Sequence, residues 1–219
     1  MSKILVAPSI LSADFNKLAE EIKTVELAGA DYLHFDVMDG HFVPNISFGQ
    51  PVLKSIAHSH KLINDVHIMI SDPFKYAPEF IKAGAEILTF HYEACKDDKE
   101  VFDVIDKIHG CGMKAGISIK PNTPVSKVFP FLHSLDLVLI MSVEPGCGGQ
   151  KFIDLSLNKI MALKNKIDEE KVSVLISVDG GINDLTGKDC VNVGANVLVV
   201  GQYLFGHEDY KERYMRLIK

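Results

Sequence analysis

Residues 32–42 read YLHFDVMDGHF, in which apolar residues alternate with an imidazole, a carboxylate and a thioether. This period of two predicts a β-strand that ends at the Asp-Gly turn. His34 and Asp36 then share one face of the strand, with their Cβ atoms about 7 Å apart. A buried carboxylate is costly unless it is paired or bound to a metal, so the two side chains are candidate metal ligands. The alternative is a His–Asp hydrogen bond that only fixes the end of the strand.

The remainder of the chain repeats one unit, a short apolar strand followed by an amphipathic helix. Besides the strand in the opening stretch, we predict strands at residues 4–9, 62–70, 86–91, 113–119, 136–143, 172–178 and 196–200. The predicted helices cover residues 14–28, 49–58, 72–82, 99–111, 125–132, 154–167, 184–193 and 210–218. Eight such units without a linker predict an α/β protein with a parallel sheet, closed as a single (β/α)8 TIM barrel domain over residues 1–219.

A doubly wound open sheet is the competing architecture. The loop after the first strand, PSILSAD at residues 8–14, lacks the Gly-x-Gly-x-x-Gly fingerprint of dinucleotide-binding folds. A Gly-Ala pair recurs at Gly29, Gly84 and Gly194, each time between a helix and the next strand. Recurrence at equivalent joints indicates a repeated unit and therefore favours the barrel.

The composition bounds the class of protein. The chain has 219 residues, of which 47% are hydrophobic and 24% charged, and its net charge is −6. These values are typical of a soluble globular protein and argue against nucleic-acid and anionic-membrane partners. Residues 1–3 lead directly into the first strand, which leaves no room for a leader, and no apolar run approaches the roughly 20 residues of a membrane span. We expect free thiols, a cytoplasmic location and a homo-oligomer.

Polar residues occur at the carboxyl ends of several predicted strands, where barrel enzymes carry their active sites. The alternation along each strand directs Ser9, Asp36, His67 and Asp179 towards the barrel axis. Two His and two Asp can provide the four ligands of a divalent metal: His34, Asp36, His67 and Asp179. A buried cluster of salt bridges and hydrogen bonds without a metal is the alternative.

Three methionines, Met38, Met69 and Met141, also lie at predicted strand ends. They could provide an apolar, polarizable lining that offers no competing proton donor, or they could simply fill the barrel core. His91 ends the fourth strand and is a candidate hydrogen-bond partner of a metal ligand.

Glycine-rich loops follow the predicted strands six, seven and eight, at Gly148-Gly149, Gly180-Gly181 and Gly201. Backbone N–H groups that glycine exposes can bind a phosphate, and this fold commonly binds one after strands seven and eight. Lys151 is the only cation in these loops, so binding would depend on backbone dipoles and helix N-termini. A single Gly-Gly pair usually marks only a turn, but three such loops at adjacent strand ends favour a phosphate site.

Taken together, these motifs resemble the ribulose-phosphate 3-epimerases over the whole chain. The matching segments are APSILSADF at residues 7–15, HFDVMDGHFVPN at 34–45, DVHIMI at 65–70, VEPGCGGQKF at 143–152, SVDGGI at 177–182 and VVG at 199–201. The resemblance implies interconversion of D-ribulose 5-phosphate and D-xylulose 5-phosphate in the pentose phosphate pathway. It also implies that the two His and two Asp hold one divalent metal ion per chain, with zinc, iron(II), manganese and cobalt all open.

The other predicted site residues would contact the ketose phosphate. Predicted substrate contacts are Ser9, Met38, His67, Met69, Met141, Gly146, Cys147, Gly148 and Gly149. Predicted phosphate contacts are Gly148, Gly149, Gly180, Gly181, Gly201 and Gln202. Two of these depart from the family pattern: Cys147 replaces a Phe in the Gly-rich loop, and Gln202 replaces a Ser. The second change removes a hydroxyl donor but leaves the backbone N–H.

The implied reaction needs two carboxylates. Epimerising carbon 3 of a 2-ketose removes a proton α to a carbonyl and returns one to the opposite face. A metal on the carbonyl and a neighbouring hydroxyl would stabilise the ene-diolate as a Lewis acid. Asp36 and Asp179 lie on well-separated strands and could flank the substrate. By resemblance, Asp36 is the base and Asp179 the acid in the D-ribulose 5-phosphate direction.

Three other functions compete with this one. A 3-epimerase of a hexulose phosphate, such as D-allulose 6-phosphate, would need only a reshaped pocket and is poorly separated by the sequence. A related barrel decarboxylase acting on a nucleotide would be expected to carry an Asp-x-Lys-x-x-Asp array, which does not occur in the sequence. A non-catalytic sugar-phosphate binding protein would need no paired Asp.

Overall fold

Eight parallel strands form one closed sheet in the computed structural model, which describes residues 3–219. The strands are β1 Leu5–Pro8, β2 Tyr32–Met38, β3 Ile63–Met69, β4 Ile87–His91, β5 Lys114–Ile119, β6 Leu137–Met141, β7 Leu175–Asp179 and β8 Val197–Val200. Each strand from β2 to β7 pairs with the next along the chain, β8 pairs with β1, and a single parallel bridge between Ser9, just after β1, and His34 of β2 closes the barrel. The predicted (β/α)8 barrel is therefore confirmed, and the open sheet is excluded. Residues 1–2, which the predictions of a 1–219 domain and of no leader include, lie outside the described residues.

Helices surround this barrel. They are α1 Leu18–Ala28, α2 Gln50–Ile56, α3 Pro73–Ala83, α4 Asp98–Gly110, α5 Leu155–Glu170, α6 Asp184–Asn192 and α7 Tyr210–Leu217. Short 3-10 segments occur at Ile10–Ser12, Phe15–Lys17, Tyr92–Ala94 and Val125–Ser134. No helix in residues 3–219 is both long enough and apolar enough to cross a membrane.

Two predicted helices differ from the observed ones. The helix predicted from residue 14 begins only at Leu18, because the Asp14 side chain accepts from the Asn16 N–H and stabilises a 3-10 turn. Phe15, the first large apolar residue of the predicted helix, is 54% exposed. The segment predicted as an α-helix at 125–132 is a 3-10 segment containing Pro130, which has no N–H to donate.

The core has two layers, one inside the barrel and one between the strands and the helices. Val37, Ile68 and Val178 belong to the outer layer, as the alternation predicts. Their strand neighbours therefore face the barrel axis. All four cysteines are free thiols, as expected from their spacing.

Candidate active site and metal centre

Four side chains converge at the carboxyl ends of β2, β3 and β7. His34, Asp36, His67 and Asp179 each offer one ligand atom, and these atoms all lie within 4.8 Å of one another. Asp36 Oδ1 is 3.0 Å from His67 Nδ1 and 3.3 Å from His34 Nε2. The register of β2 against β3 pairs Asp36 directly with His67, which explains how two strands deliver three of the four groups. This arrangement could hold a divalent metal.

The orientation of His34 fits such a role. Its Nδ1 lies 2.7 Å from Asp65 Oδ2, so its Nε2 is the atom left for the cluster. That Nε2 is buried and has no hydrogen-bond partner within residues 3–219. A buried ring nitrogen without a partner is costly, whereas a metal ion would satisfy it. Asp65 was not among the predicted site residues, although its position two residues before His67 on the same strand face was a usable signal.

His67 is oriented from its other side by His91. Their Nε2 atoms are 2.9 Å apart, so His67 presents Nδ1 to the cluster. His91 Nδ1 in turn lies 3.2 Å from Glu93 Oε2. The predicted contact of His91 with a candidate ligand is thus observed, and sequence reasoning missed Glu93.

Asp36 is held by a neighbour on the first strand. The Ser9 hydroxyl donates to Asp36 Oδ2 over 2.6 Å, and both residues are buried. Oδ1 faces the two imidazoles and Oδ2 faces Ser9, so both carboxylate oxygens have polar neighbours. The carboxylate therefore has a fixed orientation.

The two carboxyl groups differ in proton affinity. Burial opposes ionisation of Asp36, but the adjacent imidazoles of His34 and His67 outweigh it and hold the pKa of Asp36 well below its usual range. Burial, followed by the charge of Asp36, raises the pKa of Asp179 to about 6. Burial opposes protonation of His34, yet Asp36 and Asp65 raise its pKa well above the usual value. The site therefore keeps Asp36 ionised and lets Asp179 hold a proton more readily.

A cavity of about 500 Å³ opens above this cluster. Its lining includes the two candidate acid–base groups Asp36 and Asp179. The other predicted residues in the lining are Ser9, Met38, Met69, Met141, Gly146, Cys147, Gly148, Gly149, Gly180, Gly181, Gly201 and Gln202. His34 and His67 do not line the cavity; both are buried. The structure thus brings the predicted substrate and phosphate residues, except His67, to one cavity.

The loops after β7 and β8 form one side of the cavity and contribute glycines to its lining. None of the hydrogen bonds found within residues 3–219 engages the backbone N–H of Gly181, Gly201 or Gln202. A Cβ on Gly181, whose φ is 65°, would lie 2.5 Å from the backbone N of Phe152. The main chain here is therefore packed too closely for a side chain. Asn183, Thr186, His207 and Arg213 also line the cavity and were missed, because Asn183 and His207 lie in loops without periodicity, and Thr186 and Arg213 lie in the first turns of α6 and α7.

The Gly-rich loop after β6 closes one edge of the cavity. Asn45 Nδ2 donates to Gly146 O over 2.6 Å and lies 2.9 Å from Cys147 Sγ. The Gln150 amide donates to two carbonyls of the same loop, Glu144 O and Cys147 O. The loop is thus fastened to the loop after β2 by the Asn45 side chain. Cys147 itself is exposed.

The closed barrel, with its polar cluster at the carboxyl ends of the strands, defines a (β/α)8-barrel enzyme. The family model described as "Ribulose-phosphate 3 epimerase family" matches residues 5–205, and the chain belongs to this family. The chain is 49% identical to the ribulose-phosphate 3-epimerase of Bacillus subtilis, over 95% of each chain. It is 46% identical to the chloroplastic ribulose-5-phosphate-3-epimerase of Arabidopsis thaliana, over 96% of this chain and 75% of that one. The protein is thus an enzyme of the epimerase class.

Solved structures with low sequence identity share the fold. The 3-keto-L-gulonate-6-phosphate decarboxylase of Vibrio cholerae superposes with a TM-score of 0.73 at 14% identity, over 99% of this chain and 96% of the other. The 3-hexulose-6-phosphate synthase of Salmonella typhimurium superposes with a TM-score of 0.64 at 17% identity, over 98% and 96%. At these identities the likeness concerns the barrel alone.

Proposed function

We propose that the chain interconverts D-ribulose 5-phosphate and D-xylulose 5-phosphate, as a step of the pentose phosphate pathway. The observation that carries the proposal is the pair of carboxylates, Asp36 and Asp179, at the end of a cavity that is flanked by glycine-rich loops. The names of the relatives, which are 40–49% identical over most of the chain, support the same substrate.

In this proposal Asp36 removes the proton at carbon 3 of D-ribulose 5-phosphate. Its low pKa keeps it ionised, and the Ser9 hydroxyl fixes its orientation. Asp179, with a pKa raised to about 6, returns a proton to the opposite face. The two roles exchange in the reverse direction. Met38, Met69 and Met141 line the cavity without offering a competing proton.

The two His and two Asp would hold one divalent ion per chain, as zinc, iron(II), manganese or cobalt. The unpartnered Nε2 of His34 and the mixed nitrogen and oxygen donors fit such an ion. When bound, the ion would act as a Lewis acid that stabilises the ene-diolate. The remaining binding would come from backbone N–H groups of the glycine-rich loops, in which Lys151 is the one side-chain cation.

Kinetics on two substrates test the proposed substrate. We expect kcat/KM for D-ribulose 5-phosphate to exceed that for D-allulose 6-phosphate by at least about tenfold, since one extra hydroxymethylene must be accommodated in the same cavity. A preference for the hexulose phosphate would replace the proposal with the rival epimerase. Absence of turnover of both, with binding retained, would favour a sugar-phosphate binding protein.

Metal analysis tests the ion. Protein purified without added metal or chelator should contain about one ion per chain, and His67→Ala should lower that content. His133→Ala is the matched control, because His133 lies at the surface near Glu170. Activity that is unaffected both by a chelator and by His67→Ala would contradict a metal-dependent reaction.

The homo-oligomer and the cytoplasmic location stay predictions. Sedimentation tests the first of them, and a single species at the chain mass of 24.2 kDa would contradict it.

A further inference from the structure

We propose that Glu93 and His91 are positioning residues that fix the tautomer of His67, so that its Nδ1 carries a lone pair for the metal. The inference rests on the proposed metal site. It concerns residues outside that site, since neither Glu93 nor His91 is one of the four candidate ligands.

Asp36, His67, His91 and Glu93 are connected by a continuous series of hydrogen-bond contacts. His67 Nδ1 faces Asp36, His67 Nε2 faces His91 Nε2 over 2.9 Å, and His91 Nδ1 faces Glu93 Oε2 over 3.2 Å. Both imidazoles are 0% exposed, so water does not substitute for either contact. The ring of Phe42 lies 4.8 Å from that of His91 and covers it.

At the Glu93 end of this series of hydrogen bonds, donors and acceptors are fixed. Glu93 Oε1 accepts from the backbone N–H of Lys120 over 2.8 Å and from the Thr123 hydroxyl. Lys159 braces this loop, because its ammonium group donates to the carbonyls of Lys120 and Thr123. Oε2 remains for His91, and an ionised carboxylate can only accept.

The acceptor role of Glu93 determines which ring nitrogen is protonated in His91 and then in His67. Since Glu93 only accepts, His91 carries its proton on Nδ1 and accepts at Nε2. His67 must therefore donate from Nε2, which leaves Nδ1 without a proton. A metal ligand needs this unprotonated nitrogen. The Glu93 carboxylate, which is linked to His67 only through His91, therefore determines whether His67 can bind an ion.

An isosteric change at Glu93 should exchange the donor and acceptor in each hydrogen bond from Glu93 through His91 to His67. In Glu93→Gln the amide oxygen must face the Lys120 N–H, because a backbone N–H has no lone pair to accept with. The NH2 group then faces His91 Nδ1, which becomes an acceptor, and the proton of His91 moves to Nε2. His67 would carry its proton on Nδ1, the atom that the metal requires.

Zinc affinity and ring-nitrogen NMR test the proposal on the full chain. Zinc is titrated into chelator-stripped protein against a competing chelator, and we expect Glu93→Gln to weaken binding by about 10- to 100-fold. Glu86→Gln is the matched control, because Glu86 also accepts a backbone N–H, that of Asn64 at the opposite end of the barrel. The control should bind zinc like the wild type.

The tautomer is measured directly in the zinc-loaded wild type, and a variant serves only to assign the signals. Long-range ¹H–¹⁵N correlation should show the proton of His91 on Nδ1 and that of His67 on Nε2. The signals of His91 are identified by their loss in His91→Phe. A wild type that binds zinc but protonates His91 at Nε2, or an unchanged zinc affinity in Glu93→Gln, would overturn the inference and leave the metal site intact. A wild type that binds no zinc would overturn both.

Discussion

The two sides of the barrel mouth differ in the chemical groups that they present to the cavity. On the side of β1 to β4, side chains hold one another in fixed directions from Ser9 through Asp36, His67 and His91 to the half-buried Glu93. On the side of β7 and β8, the cavity is lined by glycines and by main-chain N–H groups that find no internal acceptor among residues 3–219. Proton transfer, which needs a group in a defined protonation state, thus relies on side chains. Binding of an anion can rely on backbone N–H groups.

This difference predicts opposite sensitivities to mutation. The β2–β4 side should respond to changes of single polar atoms, even when the shape of the side chain is kept. Apart from Asp179 at the end of β7, the β7–β8 side should tolerate changes of side-chain chemistry, such as Gln202 in place of the Ser of the family pattern, but not added volume on the main chain. The following changes test this contrast, from the largest expected effect to the smallest.

Removal of either carboxylate should have the largest effect. We expect Asp36→Asn and Asp179→Asn each to lower kcat by about 10²- to 10⁴-fold, because each removes one proton-transfer group while keeping its size. Solvent deuterium exchange at carbon 3, with metal content checked in parallel, separates the two roles. A variant that keeps its metal should still wash deuterium into one epimer without forming the other, and the exchanging epimer should switch between the two variants. Normal exchange and epimerisation in both metal-replete variants would contradict the two-carboxylate mechanism.

A methyl group on the main chain should affect the β7–β8 side next. In Gly181→Ala the new Cβ would lie 2.5 Å from the Phe152 backbone N, so the loop must shift. We expect KM to rise by about tenfold, the effect of one lost charge-assisted hydrogen bond, with kcat nearly unchanged. Gly112→Ala is the matched control, since Gly112 also has a positive φ of 84°, does not line the cavity, and its Cβ would meet no atom within 4 Å. Equal KM values for the two variants would argue against a main-chain phosphate site around Gly181.

The same contrast explains how far the sequence could predict the site. The four candidate ligands follow from alternation along single strands, because a period of two and a strand end are both visible in one short segment. The partners that orient them are not visible in this way. His34 meets Asp65 across 31 positions only because the register of β2 against β3 pairs them. Asn45 reaches Gly146 across 101 positions through two loops, which carry no periodicity at all. The 3-10 start before α1 depends on the local bond from Asn16 to Asp14, which competes with helix propensity.

The fastening of the glycine-rich loop predicts a smaller effect. Asn45→Ala removes the hydrogen bond to Gly146 O, so hydrogen exchange in residues 145–150 should accelerate and KM should rise by about two- to fivefold. Asn16→Ala is the control, because Asn16 bonds only within its own turn. In the wild type, a saturating substrate analogue should slow exchange in the same segment. Unchanged exchange in both comparisons would mean that this loop does not act as a lid.

The smallest effect concerns the thiol that departs from the family pattern. Cys147 is exposed on the loop, whereas burial raises the pKa of Cys95 and of Cys190 to about 12. At pH 8 only about 10⁻⁴ of a thiol with that pKa is ionised, and the thiolate is the form that reacts. Iodoacetamide should therefore label Cys147 well before Cys95 or Cys190, as followed by peptide mass spectrometry. Because Cys147 lines the cavity, a bound substrate analogue should slow its labelling by a few fold without altering the other two. An unchanged labelling rate of Cys147 with the analogue bound would indicate that the loop after β6 does not close over the ligand. Main-chain contacts to the ligand would then come only from the loops after β7 and β8.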